Sequence, residues 1–289
     1  MNSVKVTTLM VAMLALFAAV GYLIGGQGGM VIALVLAMGL NFFSYWFSDK
    51  LVLKMYKARE IKEADHPRLY TAVRRVSQKG MVPMPRVYIV PSKAPNAFVT
   101  GRSPEHAAVA ATEGLLEMLN EDELEGVMAH EIAHIRNRDM LIGTVAATLA
   151  GAIGILASIA RWGAIFGGVS RDDRGGGLGL LVAAIVAPLM AILIQTAISR
   201  QREYKADSTS GEITGKPMAL ASALRKLHSA PVRLNLDQRP ATAHLMIANP
   251  LSGRGMASLF STHPPVEKRI ENLQTMAQNP GYTSYARKR

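Results

Sequence analysis

The residues best suited to chemistry lie together in the segment His130–His134, which reads His-Glu-Ile-Ala-His. In a helix, side chains four residues apart lie on one face, about one 5.4 Å turn apart. His130 and His134 can therefore both place an imidazole nitrogen about 2.0–2.1 Å from one zinc ion. Glu131 is suited to take a proton from water activated by that ion. The pattern is typical of zinc hydrolases, although a surface helix can carry it by chance.

A catalytic zinc ion needs a third protein ligand and one open position. Asn137 and Met140 stand where metzincins require Gly and His, which excludes that class. Among carboxylates, Glu203 is the best placed, on a predicted helix that follows the last apolar run. Asp207, one turn later, can accept a hydrogen bond from the free N–H of a ligand histidine. The residues alone leave other histidines open as ligands: His66, His106, His228, His244 and His263.

Four runs without any charged side chain separate the polar parts of the chain. The first two lie between Val6 and Ser48 and are divided at Gly25–Gly29; the others are Met140–Ala160 and Gly175–Ser199. About 20 helical residues cross a bilayer core of roughly 30 Å. We therefore expect four membrane helices, the first two a retained hairpin rather than a cleaved signal peptide. Buried core helices are the alternative, and the last pair can also form a re-entrant hairpin.

The formal net charge of +11 over 289 residues follows this arrangement. Basic residues come directly after the second and fourth runs: Lys50, Lys54, Lys57, Arg59, Lys62, Arg200, Arg202 and Lys205. Such residues mark the cytoplasmic ends of membrane helices, so we expect both termini and the site in the cytoplasm. The Arg161–Arg174 loop, predicted outside, is an exception with three Arg. A nucleic-acid partner is not expected. The absence of Cys excludes disulfides and thiolate metal ligands.

The apolar runs predict four segments. Residues 1–48 form an N-terminal transmembrane hairpin, and 49–139 the first cytoplasmic part, which contains the H-E-x-x-H helix. Residues 140–199 form the second membrane or re-entrant hairpin, and 200–289 the second cytoplasmic part. A hairpin returns the chain to its starting side, so His134 and Glu203 can meet just outside the membrane. A single crossing would keep them apart.

The polar segments predict an α+β, mainly helical fold with a small β-sheet. A helix is expected over Pro67–Lys79, and Asn120 with Glu123 resembles a capping box at the start of the H-E-x-x-H helix. That helix turns its apolar residues inward, among them Leu124, Val127, Met128, Ile132 and Ile135. The remaining expectations are strands at Arg86–Val90, Asn96–Thr100 and Ala107–Thr112, helices near Glu203, at Pro217–His228 and at Pro265–Ala277, and a loop over Ser229–Ser261.

Several spaced motifs carry a family resemblance: His130–His134 with Arg136–Asp139, Arg200 with Glu203–Asp207, Ser261–Pro265, and Asn96–Phe98 followed by Gly101. The chain resembles the HtpX family of bacterial membrane-bound zinc metalloproteases, which is related to the CAAX prenyl protease. The resemblance implies a gluzincin-like fold in which Glu203 is the third ligand of one Zn²⁺ and Asp207 supports the histidines. It also implies that His263 stabilises the oxyanion of the reaction. Asn96, Ala97 and Phe98 would belong to an edge strand that pairs with an extended substrate, or to an ordinary strand.

The same resemblance implies cleavage of damaged or misfolded membrane proteins at the bacterial inner membrane, in stress-related quality control. Membrane-protein substrates, the lipid bilayer and other quality-control proteases would then be the partners. A narrow processing protease of the CAAX type is the first alternative. A metal-binding membrane scaffold or transporter is the second, which is disfavoured because the apolar runs contain only weakly polar groups such as Thr144 and Gln195.

Overall fold

The structure is a computed structural model that describes residues 2–142, 200–230 and 264–279. The helices in these ranges are α1 (Asn2–Met55), α2 (Pro67–Gly80), α3 (Glu113–Met118), α4 (Glu121–Arg136), α5 (Arg200–Thr214), α6 (Pro217–Ser229) and α7 (Val266–Gln278). The strands are β1 (Arg59–Glu60), β2 (Arg86–Val90), β3 (Ala97–Thr100) and β4 (Ala108–Thr112). A 3-10 turn, Pro104–His106, lies between β3 and β4. Most of the last two apolar runs and of the predicted loop, together with His244 and His263, lie outside the described residues.

Helix α1 is a hairpin, although its backbone is helical from Asn2 to Met55. Gly26 has a φ of 58°, in the left-handed region that favours glycine, and the chain reverses there. The Asn41 side chain donates a hydrogen bond to the Met10 carbonyl at 3.1 Å. A Cβ placed on Gly21 would lie only 2.5 Å from the Cβ of Ala33. The two halves are therefore antiparallel and in close contact, as small residues permit.

The second half of the hairpin has the dimensions of a membrane span. Gly26–Phe47 is 22 residues long with a mean hydropathy of 1.8, and only 6% of it is buried. Val6–Ala19 is a shorter apolar helix. Within residues 2–142, 200–230 and 264–279, Gly26–Phe47 alone is long and apolar enough to cross a membrane, so the predicted number of four membrane helices is not confirmed. The exposed apolar surface of this helix, however, is of the kind that marks a lipid or protein contact.

The sheet has the strand order β1-β2-β4-β3, so β3 lies at one edge. β2 and β4 are parallel, with Val87 opposite Val109, whereas β3 runs antiparallel to β4, with Phe98 opposite Ala110. The three longer strands confirm the predicted ones, but β1 was not predicted because its two residues are exposed and show no pattern. One sheet face packs on the end of α1 and the other on the main core.

Helix α4 lies at the centre of the main core. Its capping box is confirmed: Asn120 Oδ1 accepts from the Glu123 N–H, and Glu123 Oε2 accepts from the Asn120 N–H, both at 2.9 Å. The apolar residues predicted to point inward are all buried. The short α3, capped by Thr112, was not predicted because six residues are too few for helical periodicity.

Two close contacts set the position of α4 against its neighbours. The Ser210 hydroxyl of α5 donates to the Gly126 carbonyl at 2.9 Å. A Cβ on Gly126 would lie 2.9 Å from the Leu220 nitrogen of α6. The absence of a side chain at Gly126 therefore lets α6 approach α4 closely. This packing determines where the side chains of α5 lie relative to those of α4.

Candidate metal centre

The two histidines of α4 face each other inside the protein. His130 is 1% exposed, and its Nε2 atom lies 3.2 Å from the Nε2 atom of His134. The two rings are perpendicular, with centroids 4.8 Å apart. The four-residue spacing on the helix therefore brings one nitrogen of each imidazole to a common point.

The third group comes from α5. Glu203 Oε2 lies 3.6 Å from His130 Nε2, and Glu203 Oε1 lies 3.7 Å from His134 Nε2. The candidate ligand atoms all lie within 4.8 Å of one another. Tetrahedral ligands at about 2.1 Å from one ion are themselves about 3.4 Å apart. The spacing of the two nitrogens and the carboxylate thus fits a single ion.

Each histidine has a carboxylate on its other nitrogen. Asp207 Oδ1 lies 2.9 Å from His130 Nδ1, and Asp139 Oδ2 lies 3.0 Å from His134 Nδ1. An ionised carboxylate accepts hydrogen bonds only, so it holds the ring proton on Nδ1 and leaves Nε2 free to bind a metal ion. The structure therefore places Asp207 within hydrogen-bond distance of His130. It also shows a contact of Asp139 with His134 that sequence reasoning missed, although Asp139 belongs to the Arg136–Asp139 motif.

Arg269 of α7 completes the support of the centre. Its side chain is fully buried and donates two hydrogen bonds to Asp207, from Nη2 to Oδ1 at 2.7 Å and from Nε to Oδ2 at 2.8 Å. Sequence reasoning missed this residue. A signal was present: Arg269 stands between Val266 and Leu273, at helical spacing on the apolar face of α7.

The carboxylates change the acid–base properties of the histidines in the metal-free protein. Burial lowers the pKa of His130, but hydrogen bonds with Asp207 and Glu203 outweigh burial and raise that pKa to about 9. The pKa of His134 is also raised, because Asp139 and Glu203 overcome the effect of burial. Arg269 overcomes burial at Asp207 and lowers the pKa of that carboxyl. The centre is thus built to hold positive charge, as a proton or as a metal ion.

Comparison with known proteins agrees with this geometry. The model of the family described as Peptidase family M48 matches residues 63–277. The chain belongs to peptidase family M48. It is therefore a metalloprotease, and the predicted resemblance to the HtpX family is confirmed.

Relatives of this M48 peptidase match nearly its whole length. A "Protease HtpX homolog" of Desulfatibacillum aliphaticivorans is 56% identical over 275 residues, which cover 94% of this chain and 89% of the relative. Another, of Pyrococcus furiosus, is 55% identical over 280 residues and covers 96% and 97% of the two chains. Among solved structures, the crystal structure of S. mikatae Ste24p matches with a TM-score of 0.51 at 17% identity. That match covers 94% of this chain and 65% of Ste24p, and it shows a shared fold.

The general-base candidate lies within this M48 centre. Glu131 is 4% exposed, and its side chain lies close enough to Arg269 for the two charges to interact. The oxyanion candidate, His263, lies outside the described residues. Three other histidines lie elsewhere: His66 caps α2, while His106 contacts Ser103 and His228 contacts Glu267.

The predicted substrate segment borders the sheet. Asn96 precedes β3, and its backbone N–H donates to Thr112 Oγ1 at 2.8 Å. Ala97 and Phe98 lie within β3, and all three side chains are buried. The Phe98 ring lies 5.1 Å from that of Tyr56, on the sheet face opposite α4. The Phe98 side chain is therefore part of the core, and any contact of this segment with a peptide would use the main chain.

Proposed function

We propose that this M48 metalloprotease is an integral-membrane zinc endopeptidase. The convergence of His130, His134 and Glu203, whose ligand atoms lie within 4.8 Å, carries the proposal. Two imidazoles and one carboxylate are the donor set of catalytic zinc sites such as those of thermolysin. A carboxylate on the second nitrogen of each histidine is also typical of zinc centres. The same residues would hold other divalent ions, but this set is best suited to zinc.

In the proposed reaction, Glu131 acts as the proton carrier. Zinc, when bound, lowers the pKa of water and polarises a peptide carbonyl. Glu131 accepts the proton of the attacking water and returns it to the amine nitrogen that leaves. Asp207 and Asp139 keep the histidines in the orientation and protonation state of ligands. His263 is proposed to donate a hydrogen bond to the carbonyl oxygen as negative charge develops there.

The substrates are proposed to be misfolded or damaged membrane proteins. An extended peptide can add to a sheet edge through main-chain hydrogen bonds, which accept many sequences. The edge position of β3, and the burial of the Phe98 side chain, favour such recognition by Asn96, Ala97 and Phe98. Recognition that depends weakly on side chains suits quality control under stress. The protein would carry out this role together with other quality-control proteases.

The proposed location is the bacterial inner membrane, crossed several times, with both termini and the metal centre in the cytoplasm. The exposed apolar helix Gly26–Phe47 supports insertion. Lys50 and Lys54 at the end of α1 support the orientation, because basic residues stay on the cytoplasmic side. The proposed division remains a membrane hairpin at 1–48, protease parts at 49–139 and 200–289, and a second hairpin at 140–199.

The decisive experiment compares two variants of the purified full chain. Glu131→Gln should retain zinc but lose cleavage of a misfolded membrane protein, because it cannot accept the proton. Glu203→Ala should lose zinc itself. Metal analysis and mass spectrometry of the products measure both effects, and the products also separate broad cleavage from narrow processing. Cleavage by pure Glu131→Gln protein would refute the mechanism, and full zinc content in Glu203→Ala would move the third ligand elsewhere.

The orientation has its own test, because the chain has no native Cys. In intact cells, a membrane-impermeant thiol reagent should label Gly28→Cys, at the exposed turn of the hairpin. It should label Ser92→Cys, after β2, only after the cells are opened. The reverse labelling pattern would place the metal centre outside the cytoplasm.

A further inference from the structure

The apolar helix of α1 ends in a group of exposed aromatic side chains: Phe42, Phe43, Trp46 and Phe47. Aromatic side chains of this kind gather where a membrane helix meets the headgroup layer, and Trp is favoured there. The Lys50 ammonium lies 5.7 Å from the centre of the Phe47 ring. This end of α1 therefore brings apolar rings and a positive charge to the same height along the helix.

A turn of the protease domain, residues 101–106, contacts the aromatic end of α1. The Arg102 guanidinium carbon lies 4.8 Å from the centre of the Trp46 ring. Gly101 has a φ of 142°, and a Cβ there would lie 2.4 Å from the His106 carbonyl oxygen. Ser103 Oγ lies 3.0 Å from His106 Nδ1. The turn 101–106 is therefore tightly closed, which keeps Arg102 against Trp46.

The end of α4 adds a further cation. Arg138 follows α4 and interacts through charge with Glu105 of the turn. It is exposed, as is Lys50, while Arg102 is half-buried. Three basic side chains from three elements thus lie near the end of the apolar span. Arg102 lies against the Trp46 ring, Lys50 follows Trp46 by one helical turn, and Arg138 interacts with Glu105 of the turn. Glu105, the acidic residue of this turn, accepts a hydrogen bond from the Ser103 side chain.

We propose that Lys50, Arg102 and Arg138 form a headgroup site that binds the phosphate of anionic phospholipids. Guanidinium groups match phosphate oxygens in geometry and charge, and the neighbouring rings place the cations at headgroup depth. The turn connects β3 to β4, so the site holds the edge strand at the membrane surface. The inference rests on the membrane insertion of α1 in the proposed function.

The test uses purified full-length protein in neutral detergent and native mass spectrometry. Phosphatidylglycerol and phosphatidylcholine with the same acyl chains serve as probes. The protein should retain phosphatidylglycerol preferentially, and Arg102→Gln should weaken that binding about fivefold, the contribution of one cation near an anionic surface. Arg102→Lys should keep most of the binding. Arg225→Gln on α6, outside the headgroup site, is the matched control and should bind as the unaltered protein does.

Several outcomes would overturn the site: equal retention of the two lipids, undiminished phosphatidylglycerol binding by Arg102→Gln, or displacement of the lipid by equimolar inorganic phosphate. The zinc content of Arg102→Gln shows whether it folds. If it does not, Lys50→Gln replaces it with the same expected loss. Equal retention of the two lipids by protein that still cleaves its substrate would refute the headgroup site alone, whereas cleavage by Glu131→Gln would refute only the proposed protease mechanism.

Discussion

Arg269 and Asp207 form a fully buried, two-bond ion pair directly behind the metal centre, with donor–acceptor distances of 2.7 and 2.8 Å. Asp207 in turn contacts His130. Arg269 therefore acts on the metal site through Asp207 and also fastens α7 to α5. Arg269 on α7 thus helps to position His130 on α4, although the two residues are far apart in the sequence.

Arg269→Met should destabilise the protein strongly. It leaves the buried Asp207 carboxylate without its cation, and breaking a buried ion pair in this way costs about 3–5 kcal/mol. Loss of such support should also weaken metal binding about 10- to 100-fold. Thermal unfolding and metal titration measure these effects. Lys268→Met is the control, because the neighbouring Lys268 forms an exposed ion pair with Glu271. Equal stability of the two variants would contradict the role of Arg269.

Metal binding should strengthen as pH rises. The pKa of His130 is about 9 in the metal-free protein, so His130 is protonated at neutral pH, whereas only the neutral ring binds metal. The apparent affinity should rise about tenfold per pH unit for this group and level off above its pKa. His134, whose pKa is also raised, adds to the slope. Competition with a chelator at several pH values measures this.

Asp207→Asn provides the check on that interpretation. Among the groups that raise the pKa of His130, Asp207 contributes most. In this variant, the pH above which the apparent metal affinity stops rising should therefore be lower. By the same linkage, protonated His130 stabilises the metal-free protein at low pH, and this stabilisation is lost as pH rises through about 9. An affinity that stays constant from neutral pH to 9 would show that no proton is displaced.

Gly21→Val should disrupt the α1 hairpin. A Cβ at Gly21 would lie 2.5 Å from both Ala33 Cβ and the Gly29 carbonyl oxygen, closer than atoms can approach. Overpacking of this kind costs about 1–3 kcal/mol. Gly39→Val is a matched control, because a Cβ at Gly39 would have no atom within 4 Å apart from its chain neighbours and the adjacent backbone of its own helix. Thermal unfolding in detergent should separate the two variants, and equal unfolding temperatures would contradict the close contact.

Asn120→Ala should lower stability without affecting the metal. The variant removes the acceptor for the Glu123 N–H at the start of α4, a loss of about 1 kcal/mol. The proposed histidine ligands lie in the last two turns of α4, and Glu203 lies on α5, so zinc content should be unchanged. Denaturant unfolding measures the loss. Glu121→Ala, which alters the first turn of α4 but not the cap, should cost less; if it costs as much, the capping box is not the cause.

Several elements of the fold were predictable because local interactions determine them. The capping box of α4 joins residues three positions apart, and α2 shows its buried face in Leu69, Val73 and Val76. Strand β2 is bounded as predicted. By contrast, β1 and α3 are too short to produce a pattern. The parallel pairing of β2 with β4 and the edge position of β3 depend on contacts between distant segments, which no local pattern contains.

The same division holds at the metal centre. The sequence by itself determined that His130 and His134 share a helix face, and that Asp207 lies one turn after Glu203, because helical spacing sets both relations. Only the tertiary structure decided that Glu203 meets the two histidines and that Arg269 lies behind Asp207. Those contacts require the packing of α5 and α7 around α4, through contacts such as Ser210 with Gly126. Such packing depends on the shape and burial of whole helices.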